Sequence, residues 1–387
     1  MPKVVIMCDK SAYQRYPHQR DLDRLASFAD VVYVPCQSVA TPDPVVEGVN
    51  AMPKSAKTGR GPVAINGGHV GYGAAGEIVA EGDKTAATIA ALEGADVLIV
   101  APGAPRITGE MLSKLPQLRM IGDLEGDRFA NRVDVEAAFQ RGIPVVDTTQ
   151  GTSYPVSEWA LALAMIALKN AGADFRRMIS GQQPDRRAGA TSELGQEDLW
   201  GKDVGLVGCG FMGRRLLDLL KPFQCSIYVY DPYLPREAAD MLGFTQTSLE
   251  KVMTMDVVIS LVPQTPATDK LIGAEQIALM KPGAAFVNVS RGAVVDTDAL
   301  VARLQKGDIS AGLDVFDPEP VPPDHPITKL PNVFLSPHSA SRTRGGGNAM
   351  FSLMVDEVSR VLAGHMAQFQ LTPAAVANRH GKPPPKL

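Results

Sequence analysis

Three side chains in the last third of the chain could together carry out a carbonyl reduction. Arg291 lies in Asn288-Val289-Ser290-Arg291-Gly292, Glu319 in Asp314-Val315-Phe316-Asp317-Pro318-Glu319-Pro320, and His338 in Ser336-Pro337-His338-Ser339. Each follows a short apolar run that reads as a strand. A ketone that accepts hydride needs a cation to fix and polarise it, an acid to protonate its oxygen, and a group that keeps that acid protonated. Arg291, His338 and Glu319 supply one each. Singly, each has an ordinary alternative: a surface salt-bridge partner, a solvated acid in a proline loop, a core histidine bonded to backbone. Their succession at consecutive strand ends favours chemistry, because ligands of open α/β sheets collect at the carboxyl ends of the strands.

A hydride donor needs a place to bind, and the pattern GxGxxG occurs twice. Gly208-Cys209-Gly210-Phe211-Met212-Gly213 directly follows the apolar run Val204–Val207 and opens a helical pattern with Leu216, Leu217, Leu219 and Leu220. The next run, Ile227–Tyr230, ends in Asp231. Gly208 permits a tight turn, Gly210 lets backbone approach a pyrophosphate, and Gly213 lets the helix pack on the strand. The helix start offers N–H groups to phosphate. Asp231 would accept hydrogen bonds from the ribose hydroxyls and repel a 2′-phosphate, which points to NAD over NADP. The first match, Gly71-Tyr72-Gly73-Ala74-Ala75-Gly76, has no clear strand before it and meets Gly82 where its helix should run, so it reads as an ordinary glycine loop.

These residues must be positioned by a sheet. Between about Val204 and Pro337 the candidate strands are Val204–Val207, Ser226–Tyr230, Val257–Val262, Ala285–Val289, Gly312–Val315 and Val333–Leu335, with helix-sized segments between most of them. Val4–Met7, Val31–Val34, Val97–Val100, Arg119–Ile121 and Pro144–Val146 repeat the alternation more loosely. The fold class is therefore α/β, two Rossmann-like doubly wound parallel-sheet domains. The run Val156–Asn170 is apolar almost all round, as in a helix buried between domains or subunits, and Gly347–Leu362 reads as a long helix returning to the first domain. The expected division is 1–152 plus 343–387, and 153–342. An insertion at 38–82 lengthens the first domain, and His69 and Tyr72 are candidate contacts at a domain or subunit boundary.

The composition narrows the classes. Of 387 residues, 45% are hydrophobic and 21% charged, with a net charge of −4, which excludes a largely disordered chain and disfavours a nucleic-acid surface. No apolar run is long enough to span a membrane, and the start is too short and too soon acidic for a signal peptide. The four cysteines are scattered without a metal spacing, so no metal site is expected and reduced thiols in a cytoplasm are.

From about Leu118 to Val361 the sequence resembles the D-isomer-specific 2-hydroxyacid dehydrogenases, a family that includes phosphoglycerate dehydrogenases, glyoxylate and hydroxypyruvate reductases and D-lactate dehydrogenases. The resemblance rests on GLVGCGFMGRRLL, DVVISLVPQTPATDKLI, ALMKPGAAFVNVSRGAVVD, AGLDVFDPEP and NVFLSPH. It implies two α/β domains with the active site in the cleft between them, NAD as cofactor, a small 2-hydroxy or 2-keto acid as substrate, and a homodimer built on the nucleotide domains. It makes Arg291 the substrate-binding cation, His338 the acid–base group and Glu319 its partner. The amides of Phe211 and Met212 would lie on the pyrophosphate, and Pro263, Thr268, Val289, Ser290 and Asp314 would line the dinucleotide site. Leu124, Glu125 and Gly126 fall where the family wraps a loop around the substrate carboxylate. Here the usual glycine-rich loop is replaced by Gly122-Asp123-Leu124-Glu125-Gly126-Asp127-Arg128.

The rival readings are a formate or phosphite dehydrogenase on the same scaffold, an NAD-sensing corepressor-like binding protein, and a structural α/β protein with no ligand. The resemblance places glutamine at the position of Glu319 in a formate dehydrogenase, which has no oxygen to protonate.

Overall fold

The computed structural model describes residues 1–36, 71–72, 84–182, 194 and 196–380. They separate into two compact units, Met1–Gly151 with Gly347–Thr372, and Thr152–Gly346 with the chain from Pro373. Apart from Gly71 and Tyr72, the insertion at 38–82 lies outside the described residues, and with it His69 and the remainder of the first glycine motif.

The first unit holds a six-stranded parallel sheet: β1 (Lys3–Cys8), β2 (Asp30–Pro35), β3 (Gly71–Tyr72), β4 (Val97–Val100), β5 (Met120–Asp123) and β6 (Val145–Asp147), in the order β3-β2-β1-β4-β5-β6. Apolar runs such as Val97–Val100 are buried throughout, as a parallel sheet covered on both faces requires. The two-residue β3 pairs with β2 at the sheet edge, where the sequence reading saw no strand. Two residues of glycine and tyrosine are too short to carry a periodicity. Met350, Phe351, Met354, Val355 and Val358 of the long helix Arg344–Leu362 join the core built on Val4, Ile6 and Ile99. The chain stays tied to this sheet as far as Leu371, whose N–H donates to the Val145 carbonyl at 2.8 Å. Pro373 then opens a new helix, Pro373–Arg379, which groups with the second unit and not with the first, where the sequence reading put it.

The second unit holds seven parallel strands: β7 (Asp203–Val207), β8 (Ser226–Tyr230), β9 (Thr245–Gln246), β10 (Val257–Ser260), β11 (Ala285–Asn288), β12 (Ser310–Leu313) and β13 (Val333–Leu335). Their order is β13-β12-β11-β10-β7-β8-β9. Counted from β7 this is the doubly wound nucleotide-binding order, with one strand added at the far edge. The helix Ser153–Leu168 buries Val156, Ala160, Leu163, Ala164 and Ala167 in the same core as Leu206, Leu216, Ile259 and Val287. Its other side leaves Tyr154 and Met165 exposed. β12 begins and ends two residues earlier than the apolar pattern suggests, because the chain turns out of the sheet at Asp314. Among the described residues no helix is long and apolar enough to cross a membrane.

Candidate active site

Glu319 and His338 meet at the carboxyl end of the second sheet, on the segments that leave β12 and β13. His338 Nδ1 lies 2.5 Å from Glu319 Oε1, and the carboxylate's other oxygen accepts the Phe316 N–H at 3.2 Å. Both side chains are about one-third exposed, so the pair is open to a ligand yet fixed by its own bonds. His338 has φ of 49°, a left-handed conformation that a non-glycine residue holds only against a cost. Its own N–H donates to the Asp314 carbonyl at 2.8 Å and the Ser336 carbonyl at 3.0 Å.

The Asp314 carboxylate anchors the turn. It is buried, and it would be costly there without donors. Oδ1 accepts the Ser336 hydroxyl at 2.5 Å and the Ser339 N–H at 2.9 Å, and Oδ2 accepts the Ala340 N–H at 2.9 Å. Trp159 Nε1 donates to Ser336 Oγ at 3.0 Å from the helix Ser153–Leu168. Trp159 and Ser336 were not legible as site residues, since 177 positions separate them.

Arg291 follows β11 in an extended conformation, with Nη1 donating to the Ser290 carbonyl at 2.7 Å. Asn288 shapes that turn. Its Oδ1 accepts the Ser290 N–H at 3.0 Å and hydroxyl at 2.7 Å, and its Nδ2 donates to the Arg291 carbonyl at 3.1 Å. Asparagine bonding to backbone two residues on is a recognisable turn signal, so this residue was findable and was missed. Ser290 is buried against Ser260, the hydroxyls 2.9 Å apart, and Val289 is buried in the core.

The glycine loop has the form a dinucleotide needs. Gly208 follows β7 with φ of 91°, and a Cβ there would lie 2.8 Å from Val262 Cγ1. Its N–H donates to the Tyr230 carbonyl at 2.8 Å. Gly210 caps the helix Phe211–Leu220, with Phe211, Met212 and Gly213 in its first turn. The first intrahelical bond runs from Arg214 to Gly210 at 3.0 Å, so the helix opens at the glycine turn, and its N-terminal dipole end is one that favours an anion. Asp231 follows β8 directly. Its Oδ2 accepts the Cys209 N–H at 2.9 Å and Oδ1 the Tyr233 N–H at 3.0 Å. A carboxylate thus closes the ribose end of a close-approach glycine turn, and these residues fit a dinucleotide without a 2′-phosphate. Pro263 and Thr268 form the loop after β10, where Thr268 Oγ1 donates to the Pro263 carbonyl at 2.7 Å.

Leu124, Glu125 and Gly126 lie in the first unit, after β5. Leu124 is a core residue whose N–H goes to the Val100 carbonyl at 3.0 Å. The buried Tyr16 hydroxyl donates to Glu125 Oε2, and Glu125 N–H donates to Asp123 Oδ1 at 3.3 Å. Gly126 packs between the carboxylates of Asp123 and Asp147. These two acids end β5 and β6 opposite one another in register, and both are buried. Asp123 is paired with Arg132 at 2.8 Å, and Asp147 accepts the Ala130 and Thr149 N–H groups at 2.8 and 2.9 Å. Burial pushes the Asp123 carboxyl up to about 7 against the pull of Arg132, and it raises Asp147 as well. Asp127, Arg128 and Ala130 all have positive φ, so the loop is held in an uncommon shape by this pair of acids.

Residues 161–340 match the D-isomer specific 2-hydroxyacid dehydrogenase, NAD binding domain. The chain is similar to D-3-phosphoglycerate dehydrogenase of Methanocaldococcus jannaschii, with 34% identity over 280 residues, 72% of this chain and 52% of that protein. It thus spans about half the length of that relative. It is 35% identical over 249 residues to glyoxylate reductase of Aeropyrum pernix, covering 62% of this chain and 72% of that one. Among solved structures, a phosphoglycerate oxidoreductase from Rhizobium etli superposes with a TM-score of 0.72 at 25% identity, over 96% of this chain and 99% of the other.

Proposed function

Because the chain belongs to the D-isomer-specific 2-hydroxyacid dehydrogenase family, we propose that it is an NAD-dependent oxidoreductase interconverting a D-2-hydroxy acid and a 2-keto acid. The observation that carries this reading is the His338–Glu319 pair at 2.5 Å, an acid–base couple at the carboxyl end of an NAD-binding sheet. NADH, when bound, supplies the hydride that reaches C2 of the keto acid. His338 has Nδ1 committed to Glu319, so Nε2 is the atom that gives its proton to the carbonyl oxygen. The carboxylate steadies the ring while it is charged and keeps Nδ1 protonated once Nε2 has given its proton up. Arg291 binds the substrate carboxylate and stabilises negative charge developing on the oxygen. Glu319, being an acid and not an amide, favours keto-acid reduction over formate oxidation.

NADH oxidation with glyoxylate, hydroxypyruvate, pyruvate and larger keto acids tests the reading. Turnover of at least one of them is expected, with none of formate. Failure with every keto acid, or turnover of formate alone, would overturn it.

The buried, reduced cysteines Cys8, Cys36 and Cys209 suit the cytoplasm. A homodimer is supported by the helix Ala171–Ile179, where Phe175, Met178 and Ile179 are more than 60% exposed on one stripe. An apolar stripe of this kind is what a second copy would cover.

Cofactor choice gives a first prediction. A carboxylate within about 4 Å of a 2′-phosphate is unfavourable by roughly 1–4 kcal/mol, according to the local dielectric. Asp231→Asn should therefore raise the NADPH-to-NADH ratio of kcat/KM about tenfold or more. It should also weaken NADH, since Asp231 Oδ1 and Oδ2 already order the Tyr233 and Cys209 amides. A ratio unchanged from the parent would refute the role given to Asp231.

A further inference from the structure

We propose that Trp159 and Ser336 are positioning residues for the reduction: through Asp314 they hold the turn that aims His338 at the substrate. The inference rests on the function proposed above, and it assigns a role to two side chains that act through the Asp314 carboxylate. A continuous line of bonds carries it. Trp159 Nε1 donates to Ser336 Oγ at 3.0 Å, and Ser336 Oγ donates to Asp314 Oδ1 at 2.5 Å. The same carboxylate takes the N–H groups of Ser339 and Ala340, each at 2.9 Å. His338 is thereby enclosed. The residue two positions before it and the two after it are all bonded to one buried carboxylate, and its own N–H is bonded to that residue's carbonyl.

That enclosure answers a need. A left-handed histidine at φ 49° tends to relax, and relaxation would swing the imidazole away from Glu319 and from the carbonyl it must protonate. Placement errors of about 1 Å can lower a rate by about 10²-fold. Asp314 alone cannot set the angle, since a carboxylate rotates about its own bond. The Ser336 hydroxyl fixes Oδ1, and the indole fixes the hydroxyl. Trp159 is itself immobilised. It sits in the helix Ser153–Leu168, which is packed on the sheet, and its ring meets Phe334 of β13 edge-on, 6.5 Å between centroids. The rigid helix therefore sets the angle of the catalytic turn.

The test uses Trp159→Phe, Ser336→Ala and Ser336→Thr in the full chain. Trp159→Phe removes the donor but keeps an aromatic edge against Phe334. Trp159→Phe removes one hydrogen bond, so kcat for keto-acid reduction should fall about five- to tenfold; Ser336→Ala removes two, one of them to a carboxylate, and should cost at least as much. KM for NADH and keto acid should stay within about twofold, as expected of residues that aim the turn and do not bind either ligand. Ser336→Thr, which keeps the hydroxyl, should restore kcat. The double variant Trp159→Phe/Ser336→Ala should be no slower than Ser336→Ala alone, since both act on one relay. Amide hydrogen exchange at Ser339 and Ala340 should accelerate in both deletions. An unchanged kcat, a rise in KM with kcat preserved, additive losses, or unaltered exchange would each overturn the inference. A parent that reduces no keto acid refutes the proposed function instead, and the exchange measurement still decides whether the relay holds the turn.

Discussion

Replacing His338 with alanine is expected to lower keto-acid reduction by about 10²–10⁴-fold, the range for losing a positioned general acid. The loss should fall on kcat. NADH should still bind and quench or shift its fluorescence as it does with the parent, because the loop Gly208–Gly213 and Asp231 lie on other strand ends, those of β7 and β8. Glu319→Gln should cost less. Its amide can still meet Nδ1 but offers no full negative charge to the ring, so kcat should fall by less than in His338→Ala while NADH binding is kept. Reduction by His338→Ala at the parent rate would remove the histidine from the mechanism, and an unchanged kcat in Glu319→Gln would remove the carboxylate.

Gly292→Ala should be nearly as damaging, for a reason that involves no lost chemistry. A Cβ at Gly292 would lie 1.8 Å from the Phe316 carbonyl oxygen, 1.9 Å from its carbon and 2.5 Å from the Asp317 nitrogen. All three are backbone atoms, so no side chain can move aside. The backbone after Arg291 is in contact with the one leading to Glu319, and forcing them apart displaces both. Overpacking of this kind costs about 1–3 kcal/mol, and a rigid neighbour puts it at the upper end. At about 2–4 °C per kcal/mol for a unit of this size, the melting temperature should drop by roughly 6–12 °C. A separation of the two segments by about 1 Å should lower kcat about 10²-fold. Gly345→Ala is the control, since nothing lies within 4 Å of a Cβ there. A Gly292→Ala chain with the parent's melting temperature and kcat would contradict the close approach.

The nucleotide loop was legible because its signal is local. Gly208, Gly210, Gly213 and Asp231 sit within one strand–helix–strand unit, each required by its own backbone or charge. The strand ends carrying Arg291, Glu319 and His338 were legible for a similar reason, as apolar runs bounded by proline and polar residues. What escaped was relational. The pattern Gly312–Val315 continues an apolar run, but the sheet ends at Leu313, since the Asp314 carboxylate is claimed by a turn more than twenty residues on. Asp147 looks like any acid ending a strand, and only the register of β5 and β6 sets it opposite Asp123. Leu124 falls inside a loop by resemblance, yet it is a core side chain. Sequence spacing records periodicity along one element, and these facts depend on which elements become neighbours.

The acids ending β5 and β6 also give the first unit a proton inventory that differs between its folded and unfolded forms. Folded, Asp123 keeps its proton up to about 7, and Asp147 is displaced in the same direction by burial. Unfolded, both ionise near the ordinary carboxylate value of about 4. Between those limits the folded chain binds more protons than the unfolded one, so stability falls as pH rises through the window. The melting temperature of this unit should therefore decline from about pH 5 to about pH 8, opposite to the effect of a carboxylate stabilised in its charged form. Unfolding near pH 6 should release protons to the medium. Calorimetric unfolding heats should then differ between buffers of small and large ionisation enthalpy, and the slope of that difference counts the protons released. A melting temperature that climbs with pH instead would mean that both acids are already ionised when the unit is folded.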